Sequence, residues 1–295
     1  AESLELTSLN GSAHPFVWKS YPYSGGSDHV VFNDGALRVP SVMLNRGDTF
    51  HHTSLDTMDK VDPTELRRSS FIALGAVYYL AAAGEKEALD MARLVVRNGY
   101  GRLGADAGDA LEALAEAKTS DSLGSAWHHG VNVIARSGER ESKAVRSTLI
   151  FVKSKAGANE IEALVAPLKA TYLELTKDVL ARILRAEKAL GVEVNPLFPG
   201  PDEKAMAQLV PVRAADFVCP LETDFLVEKL GPSVLQEIGL RGDSAYEALN
   251  FVDGRRDLRE IYLAVSAEYG PVDPADVAKF FKILERAGLV RMKRP

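Results

Sequence analysis

A long run of apolar residues at helical spacing, from Ile161 to Leu190, constrains the fold of this chain most. Its members recur at alternating intervals of four and three and then slip by one: Ile161, Val165, Leu168, Tyr172, Leu175, Val179, Ile183, Ala186 and Leu190. This spacing places one apolar stripe along a single helix, expected over about 159–190. The stripe belongs either to an intramolecular bundle, favoured by helical segments around 109–118 and 140–153, or to a coiled coil that forms a homo-oligomer.

Composition limits the class of protein. Of the 295 residues, 46% are hydrophobic and 26% are charged, which is typical of a globular chain with a sizeable core. The net charge of −6 gives no general attraction to nucleic acid or to anionic lipid. The apolar run Phe71–Ala83 is shorter than the ~20 residues needed to span a membrane, so it predicts a buried helix and no membrane span.

The chain divides by composition into four regions. Residues 1–85 mix apolar runs with glycine turns, 86–205 are rich in Ala, Leu, Glu and Lys, 206–240 form a connection, and 241–295 form a compact end. Four prolines between 191 and 211 mark a linker. The expected fold class is an α/β fragment with an incomplete sheet, followed by a helical region and a small winged-helix-like module, mostly helical overall.

The first region contains an expected strand, loop and helix. Residues 39–44 form a compact apolar run, which predicts a buried strand that leads into the polar loop 46–57. Ligands in open α/β sheets bind at such strand ends. Asp62 and Pro63 are a helix-start signal, and this helix is expected to reach Ala83, with Gly84 as its stop.

The last region predicts three short helices closed by a strand. The helices are expected over 244–251, from Asp257 to Tyr269 with a capping box to Glu260, and from Asp273 to Gly288, before a strand at 289–292. Residues 241–295 hold ten basic and nine acidic side chains. Because DNA affinity depends on neutralising phosphates, this balance favours packing or protein binding over DNA.

Histidines are concentrated near the start of the chain, where four of the six occur: His14, His29, His51 and His52. Neutral imidazole is a common zinc ligand, and a nearby carboxylate such as Asp28 or Asp56 would fix its tautomer. In an extended segment neighbouring side chains point to opposite sides, so only one of His51 and His52 is expected to face a given site. The alternative is that these histidines are surface or core residues.

Other reactive side chains carry weaker signals. His128 and His129 lie in the helical region without a carboxylate at ligand spacing, so they are expected to be structural. The single cysteine, Cys219, excludes an intrachain disulfide and has no histidine close in sequence, which argues against a nucleophile.

Three motifs in the first region resemble the last third of the catalytic domain of metallopeptidase family 28, which contains dizinc aminopeptidases. They are Gly26-Ser27-Asp28-His29-Val30-Val31-Phe32, Val39-Pro40-Ser41-Val42-Met43-Leu44, and His52-Thr53-Ser54-Leu55-Asp56-Thr57-Met58-Asp59-Lys60-Val61-Asp62. The resemblance implies that His52 is the final zinc ligand and that Asp28 has a supporting role in proton handling. His51 occupies a position that is often aromatic in the family and contacts the substrate.

The same resemblance implies residues that this sequence lacks. The family uses an upstream His-x-Asp and an adjacent Glu-Glu pair, and neither occurs here. A catalytic zinc needs three or more protein ligands. The sequence therefore predicts the C-terminal part of a longer two-zinc aminopeptidase with a peptide substrate, inactive alone and, as for many family members, exported to the periplasm or secreted. The alternative is a non-catalytic, peptidase-like interaction protein.

Overall fold

The computed structural model describes residues 6–21, 23–194 and 200–294, and this part of the chain is mostly helical. Helices α1 (His29–Asn33) and α2 (Pro63–Ala82) belong to the first region. Helices α3 (Glu85–Glu116), α4 (Ser120–Ser147) and α5 (Lys155–Leu190) follow. The mostly helical fold class is thus confirmed.

Helices α3, α4 and α5 pack on one another as a three-helix bundle. The stripe predicted on α5 lies inside it, where Ile161, Val165, Leu168, Val179 and Ile183 are buried. The stripe therefore packs within the chain, as the bundle interpretation expected, and is not left free for a second copy. Helix α5 begins four residues earlier than predicted, and the segments 109–118 and 140–153 belong mainly to the longer helices α3 and α4.

Local signals explain the ends of these helices. The hydroxyl of Thr119 accepts a hydrogen bond from the amide of Ser122, and the hydroxyl of Ser154 accepts one from Gly157, so both satisfy free amides at a helix start. Gly191 ends α5 with a φ of 66°, a left-handed conformation that glycine adopts without steric cost.

The C-terminal module surrounds a second core. Its elements are α6 (Pro201–Met206), β1 (Val210–Arg213), α7 (Thr223–Leu230), α8 (Val234–Glu237), α9 (Gly242–Asn250), α10 (Leu258–Tyr269), α11 (Pro274–Arg286) and β2 (Val290–Lys293). The predicted three helices and terminal strand are present. Strands β1 and β2 are antiparallel, with Val210 opposite Lys293 and Arg213 opposite Val290.

Residues 206–240, expected as a connection, are an integral part of this module. They supply β1 and core side chains including Phe217, Leu226 and Val234, which pack with Phe280 and Phe281. The sequence signal was weak because the strand is only four residues long and its partner β2 lies about 80 residues further along the chain. Part of the expected linker, residues 195–199, lies outside the described residues.

The first region departs most from expectation. No strand forms over 39–44, whose side chains are largely exposed, because no neighbouring strand in the described residues pairs with this extended segment. Helix α2 starts as predicted, with the carboxylate of Asp62 accepting from the amide of Thr64 at 2.9 Å. It ends at Ala82, and Gly84 caps the start of α3 instead of stopping α2.

Helix α2 is not buried as its sequence predicted. Its large apolar side chains are exposed on several faces, with Leu74, Val77 and Tyr78 at 70%, 65% and 76% exposure. The described part of the chain holds no element that covers them. None of the helices in that part is both long and apolar enough to cross a membrane.

Two sets of contacts join the regions to each other. The side-chain Nδ2 of Asn132 in α4 donates to the carbonyl oxygen of Leu263 in α10 at 2.7 Å, which docks the bundle on the C-terminal module. Arg213 of β1 forms an ion pair with Asp34, which follows α1, with Nη1 and Oδ1 2.9 Å apart. Residues 23–40 are therefore held against the C-terminal module, close to α9.

Candidate functional site

His51 and His52 lie on an exposed turn between the extended segment 39–44 and α2. The carboxylate of Asp48 shapes this turn by accepting hydrogen bonds from the amides of Phe50 at 2.7 Å and His51 at 2.8 Å. These two bonds lower the pKa of Asp48. His52 has a φ of 61°, which places its backbone in the left-handed region that non-glycine residues seldom occupy.

The two neighbouring imidazoles lie on the same side of the chain. Their rings stack with centroids 3.7 Å apart and an interplanar angle of 27°. The expectation that only one of them faces a given site is therefore wrong, because it assumed an extended backbone and the left-handed residue His52 makes a turn. The two imidazole rings are therefore exposed to the same region of solvent, where each ring can offer a nitrogen atom to a metal ion.

The predicted carboxylates do not contact this pair. Asp28 is exposed at the start of α1, where its side chain forms no capping hydrogen bond, and Asp56 is exposed on the loop before α2. Among the described residues no hydrogen bond or ion pair joins either carboxylate to His51 or His52. The structure thus brings the two histidines together and leaves Asp28 and Asp56 apart from them.

The other histidines have separate environments. His29 is buried, with Nε2 2.8 Å from the carbonyl oxygen of Ser24 and its ring tilted against Tyr23. His14 is exposed. His128 lies 3.9 Å from the carboxylate of Glu203, and burial, followed by the charge of His128, lowers the pKa of His129.

Zinc is the metal that the resemblance implies, and His51 and His52 are the side chains of this turn that could bind it. The imidazoles of His51 and His52 are exposed and carry no hydrogen bond within the described residues, so either is free to coordinate. No group of three or more metal-ligating side chains occurs in the described part of the chain. Two histidines alone fall short of the three ligands of a catalytic zinc.

A groove of about 560 Å³ lies between residues 23–40 and the C-terminal module. Its walls combine charged, amide and apolar side chains: Tyr23, Asn33, Arg38, Val39, Pro40, Glu247, Asn250, Phe251, Asp253 and Arg256. Sequence reasoning missed this groove because its two walls are about 210 residues apart in the chain. No motif within either wall signals the other.

Several hydrogen bonds fix the two walls of the groove. The amide of Gly35 donates to Oδ1 of Asn250 at 2.7 Å, and the amide of Gly25 donates to Oδ1 of Asp243 at 3.1 Å. The ring of Tyr23 stacks on that of Tyr246, with centroids 4.9 Å apart. The hydroxyl of Tyr246 donates to the carbonyl oxygen of Val30 at 2.7 Å. These contacts hold residues 23–40 against α9 along one side of the groove.

Glu247 is a groove-lining carboxylate with a strongly raised pKa. Burial, reinforced by the nearby carboxylates of Glu268 and Asp243, raises the pKa of Glu247 from its ordinary value of 4.5 to about 7. Glu268 also has a raised pKa, which burial causes and the charges of Arg140 and Arg256 partly offset. Glu247 therefore changes charge near neutral pH, at the wall of an open groove.

Comparison of the chain with models of protein families, with curated proteins and with solved structures found no match.

Proposed function

We propose that this chain is the C-terminal part of a zinc-dependent aminopeptidase, in which residues 1–85 complete the peptidase domain and 241–295 form an appended winged-helix-like module. The observation that carries this proposal is the exposed turn at His52. It follows the apolar segment 39–44 and precedes α2, in the order of the three motifs that resemble metallopeptidase family 28. The ring of His52 is open to solvent and free to coordinate.

The exposed apolar surface of the first region supports the same proposal. Leu74, Val77 and Tyr78 on α2, together with Val42 and Leu44, expose large apolar side chains on neighbouring elements of this region. Large exposed apolar surfaces mark sites of association. In the proposed parent, the upstream strands and helices of the peptidase domain cover them.

Each site residue has a distinct role in the proposed reaction. In this proposal His52 provides a neutral imidazole nitrogen as a zinc ligand, and His51, whose ring stacks on that of His52, contacts the peptide substrate. Asp28 supports proton handling as an exposed carboxylate. Bound zinc supplies Lewis-acid activation of water and of the peptide carbonyl group.

The first test of this proposal is the coding sequence upstream of Ala1. The proposal expects His-x-Asp and Glu-Glu within about one domain length, because those residues supply the missing ligands and the general base. A start codon immediately before Ala1 would reject the aminopeptidase and leave the interaction protein.

The second test measures zinc and activity in the longer protein. His52→Ala is expected to remove about one equivalent of zinc and most hydrolysis of an aminoacyl p-nitroanilide, because loss of one ligand weakens metal binding severely. His14→Ala is the matched control, since His14 is exposed and outside the motifs. Full zinc content in His52→Ala would contradict the assignment.

A non-catalytic interaction protein is the second candidate. The exposed apolar faces of α2 favour it directly, because they require a partner whether or not that partner is catalytic. The two candidates differ in one observable property of the longer protein. An interaction protein holds no stoichiometric zinc, whereas the aminopeptidase holds two ions.

A further inference from the structure

We propose that the groove between residues 23–40 and α9 binds a small organic carboxylate with an apolar body, and that Arg38 holds the carboxylate group. This inference does not depend on His52 or on peptidase activity, because the groove is built from other residues. It assigns a ligand class to the groove on the basis of its size, its unpaired cation and its apolar wall.

The volume of the groove and the apolar part of its lining suit a ligand of this class. Small-molecule sites have volumes of ~300 to 1,000 Å³ and combine apolar walls with a few polar groups. This groove measures about 560 Å³, and Val39, Pro40 and Phe251 contribute apolar surface. A short aliphatic or aromatic body therefore has a surface on which to pack.

Of the two arginines that line the groove, Arg38 is the one without a carboxylate partner in the described residues, and it is therefore available to a ligand. Arg256 already lies 3.7 Å from the carboxylate of Asp253 and donates to the carbonyl oxygen of Phe251. Asp253 also accepts from the amides of Arg255 and Arg256. Arg38 donates through Nε to the carbonyl oxygen of Gly35 at 2.8 Å and has no ion pair within the described residues.

The backbone of Arg38 provides a further observation. Its φ is 56°, a left-handed conformation that costs energy for a residue with a long side chain. The amide of Arg38 donates to the carbonyl oxygen of Asp34 at 2.8 Å, which fixes this conformation. The strained turn thus positions the guanidinium group at the wall of the groove, where it can form two hydrogen bonds with a carboxylate.

Glu247 makes the expected affinity depend on pH. In its neutral form the carboxyl group can donate a hydrogen bond to a ligand carboxylate, whereas its ionised form repels the ligand. The charged or titratable groups around it are Asp243 on α9, Glu268 and Tyr269 on α10, Tyr23 on the opposite wall, Arg256, and Arg140 of α4, which faces Glu268. Since Glu247 has a pKa of about 7, its protonated fraction falls about tenfold between pH 6 and pH 8.

The test is isothermal titration calorimetry on the full chain, with N-acetyl-leucine as the probe and N-acetyl-leucinamide as the matched ligand without a charge. N-acetyl-leucine is expected to bind about tenfold more tightly at pH 6 than at pH 8. The amide is expected to bind at least tenfold more weakly than the acid at pH 6. Equal binding of acid and amide, or no binding of the acid at pH 6, would overturn the proposal.

Two variants test the assigned residues separately. Arg38→Asn keeps a residue that tolerates the left-handed backbone, and it should weaken binding at least tenfold. Glu247→Gln mimics the neutral carboxyl group and should remove the pH dependence while keeping the affinity measured at pH 6. Arg291→Asn, an exposed residue of β2, is the control and should bind as the unmodified chain does.

Folding is checked for each variant by its thermal unfolding midpoint. If Arg38→Asn fails to fold, Glu247→Gln still decides, because an unchanged pH dependence in that variant rejects the site.

The tripeptide Ala-Ala-Leu distinguishes the two sources of the ligand carboxylate, a peptide C-terminus and a small free acid. Binding as tight as that of N-acetyl-leucine identifies the C-terminus of a peptide chain, and weaker binding identifies a small free acid.

Discussion

At the scale of single residues, the bundle contains a buried carboxylate that its sequence does not reveal. The side chain of Glu141 in α4 is 1% exposed and accepts two hydrogen bonds from Arg102 in α3 and one from Arg140. Burial acts to raise the pKa of Glu141, but the hydrogen bonds and charges of Arg102 and Arg140 outweigh it and lower that pKa. Glu141 is therefore buried as an ion.

Removing Arg102 is expected to destabilise the chain strongly. Arg102→Gln leaves Glu141 buried with only Arg140 as a partner, and loss of a partner from a buried pair costs several kcal/mol, so we expect a loss of about 2 to 3 kcal/mol in the free energy of unfolding. Arg182→Gln, which breaks the exposed pair with Asp178, should cost about 0.5 kcal/mol or less. Urea unfolding of both variants at pH 7 measures the difference, and equal losses would contradict the buried ion pair.

The raised pKa of Glu247 makes the stability of the chain depend on pH. Its pKa in the folded chain, about 7, is above its ordinary value of 4.5, so between these values the folded state binds more protons than the unfolded state. The contribution of Glu247 to stability is therefore fully present below about pH 4.5 and is lost as the pH rises through 7.

Glu247→Gln should remove this loss. We expect the variant to be more stable than the unmodified chain at pH 8 and to differ less from it at pH 5, as measured by urea unfolding at both values. Glu222→Gln, an exposed residue next to α7, is the control and should follow the unmodified chain. A stability difference that does not change with pH would contradict the raised pKa.

At the scale of elements, the sequence predicted those features that depend on residues close together in the chain, such as helix caps. The capping box from Asp257 to Glu260 forms as expected, with the carboxylate of Asp257 accepting from the amide of Glu260 at 2.8 Å. The segment 39–44 was predicted to be a strand from its apolar pattern alone, but a strand also requires a partner, which its own sequence cannot provide. The pairing of β1 with β2 was missed for the same reason.

Two glycines of the bundle have contrasting surroundings, one at a close contact between helices and the other on an open helix surface. Gly138 of α4 lies against the ring of Tyr172 on α5, and an added Cβ there would overlap the ring, whereas Gly108 of α3 has open space around it. Gly138→Ala should therefore cost about 1 to 3 kcal/mol in the free energy of unfolding. Gly108→Ala should stabilise the chain by about 0.5 to 1 kcal/mol, because alanine favours the helix. Thermal unfolding checks both, and a stabilising Gly138→Ala would contradict the packing.

At the scale of the whole molecule, contacts between distant parts of the sequence determine the arrangement around the groove. Asp34 is fully buried and pairs with Arg213, 179 residues away, whose guanidinium group also donates to the carbonyl oxygens of Phe217 and Cys219. Neither residue belongs to a motif, so no pattern in the sequence connects them. The candidate metal ligand His52 could be proposed from the sequence because it lies within a contiguous motif. The groove could not, because its two walls come from distant parts of the chain.

The ion pair between Asp34 and Arg213 should control whether residues 23–40 stay on the C-terminal module. In Asp34→Asn the guanidinium group of Arg213 keeps its carbonyl partners but loses its counter-charge in a buried position, which is costly. We expect the amides of Gly25 and Gly35, which donate to Asp243 and Asn250, to exchange with deuterium at least tenfold faster. Asp216→Asn, an exposed neighbour, should leave both rates unchanged. If Asp34→Asn also leaves them unchanged, the hydrogen bonds and the stacking of Tyr23 on Tyr246 hold this segment without the ion pair.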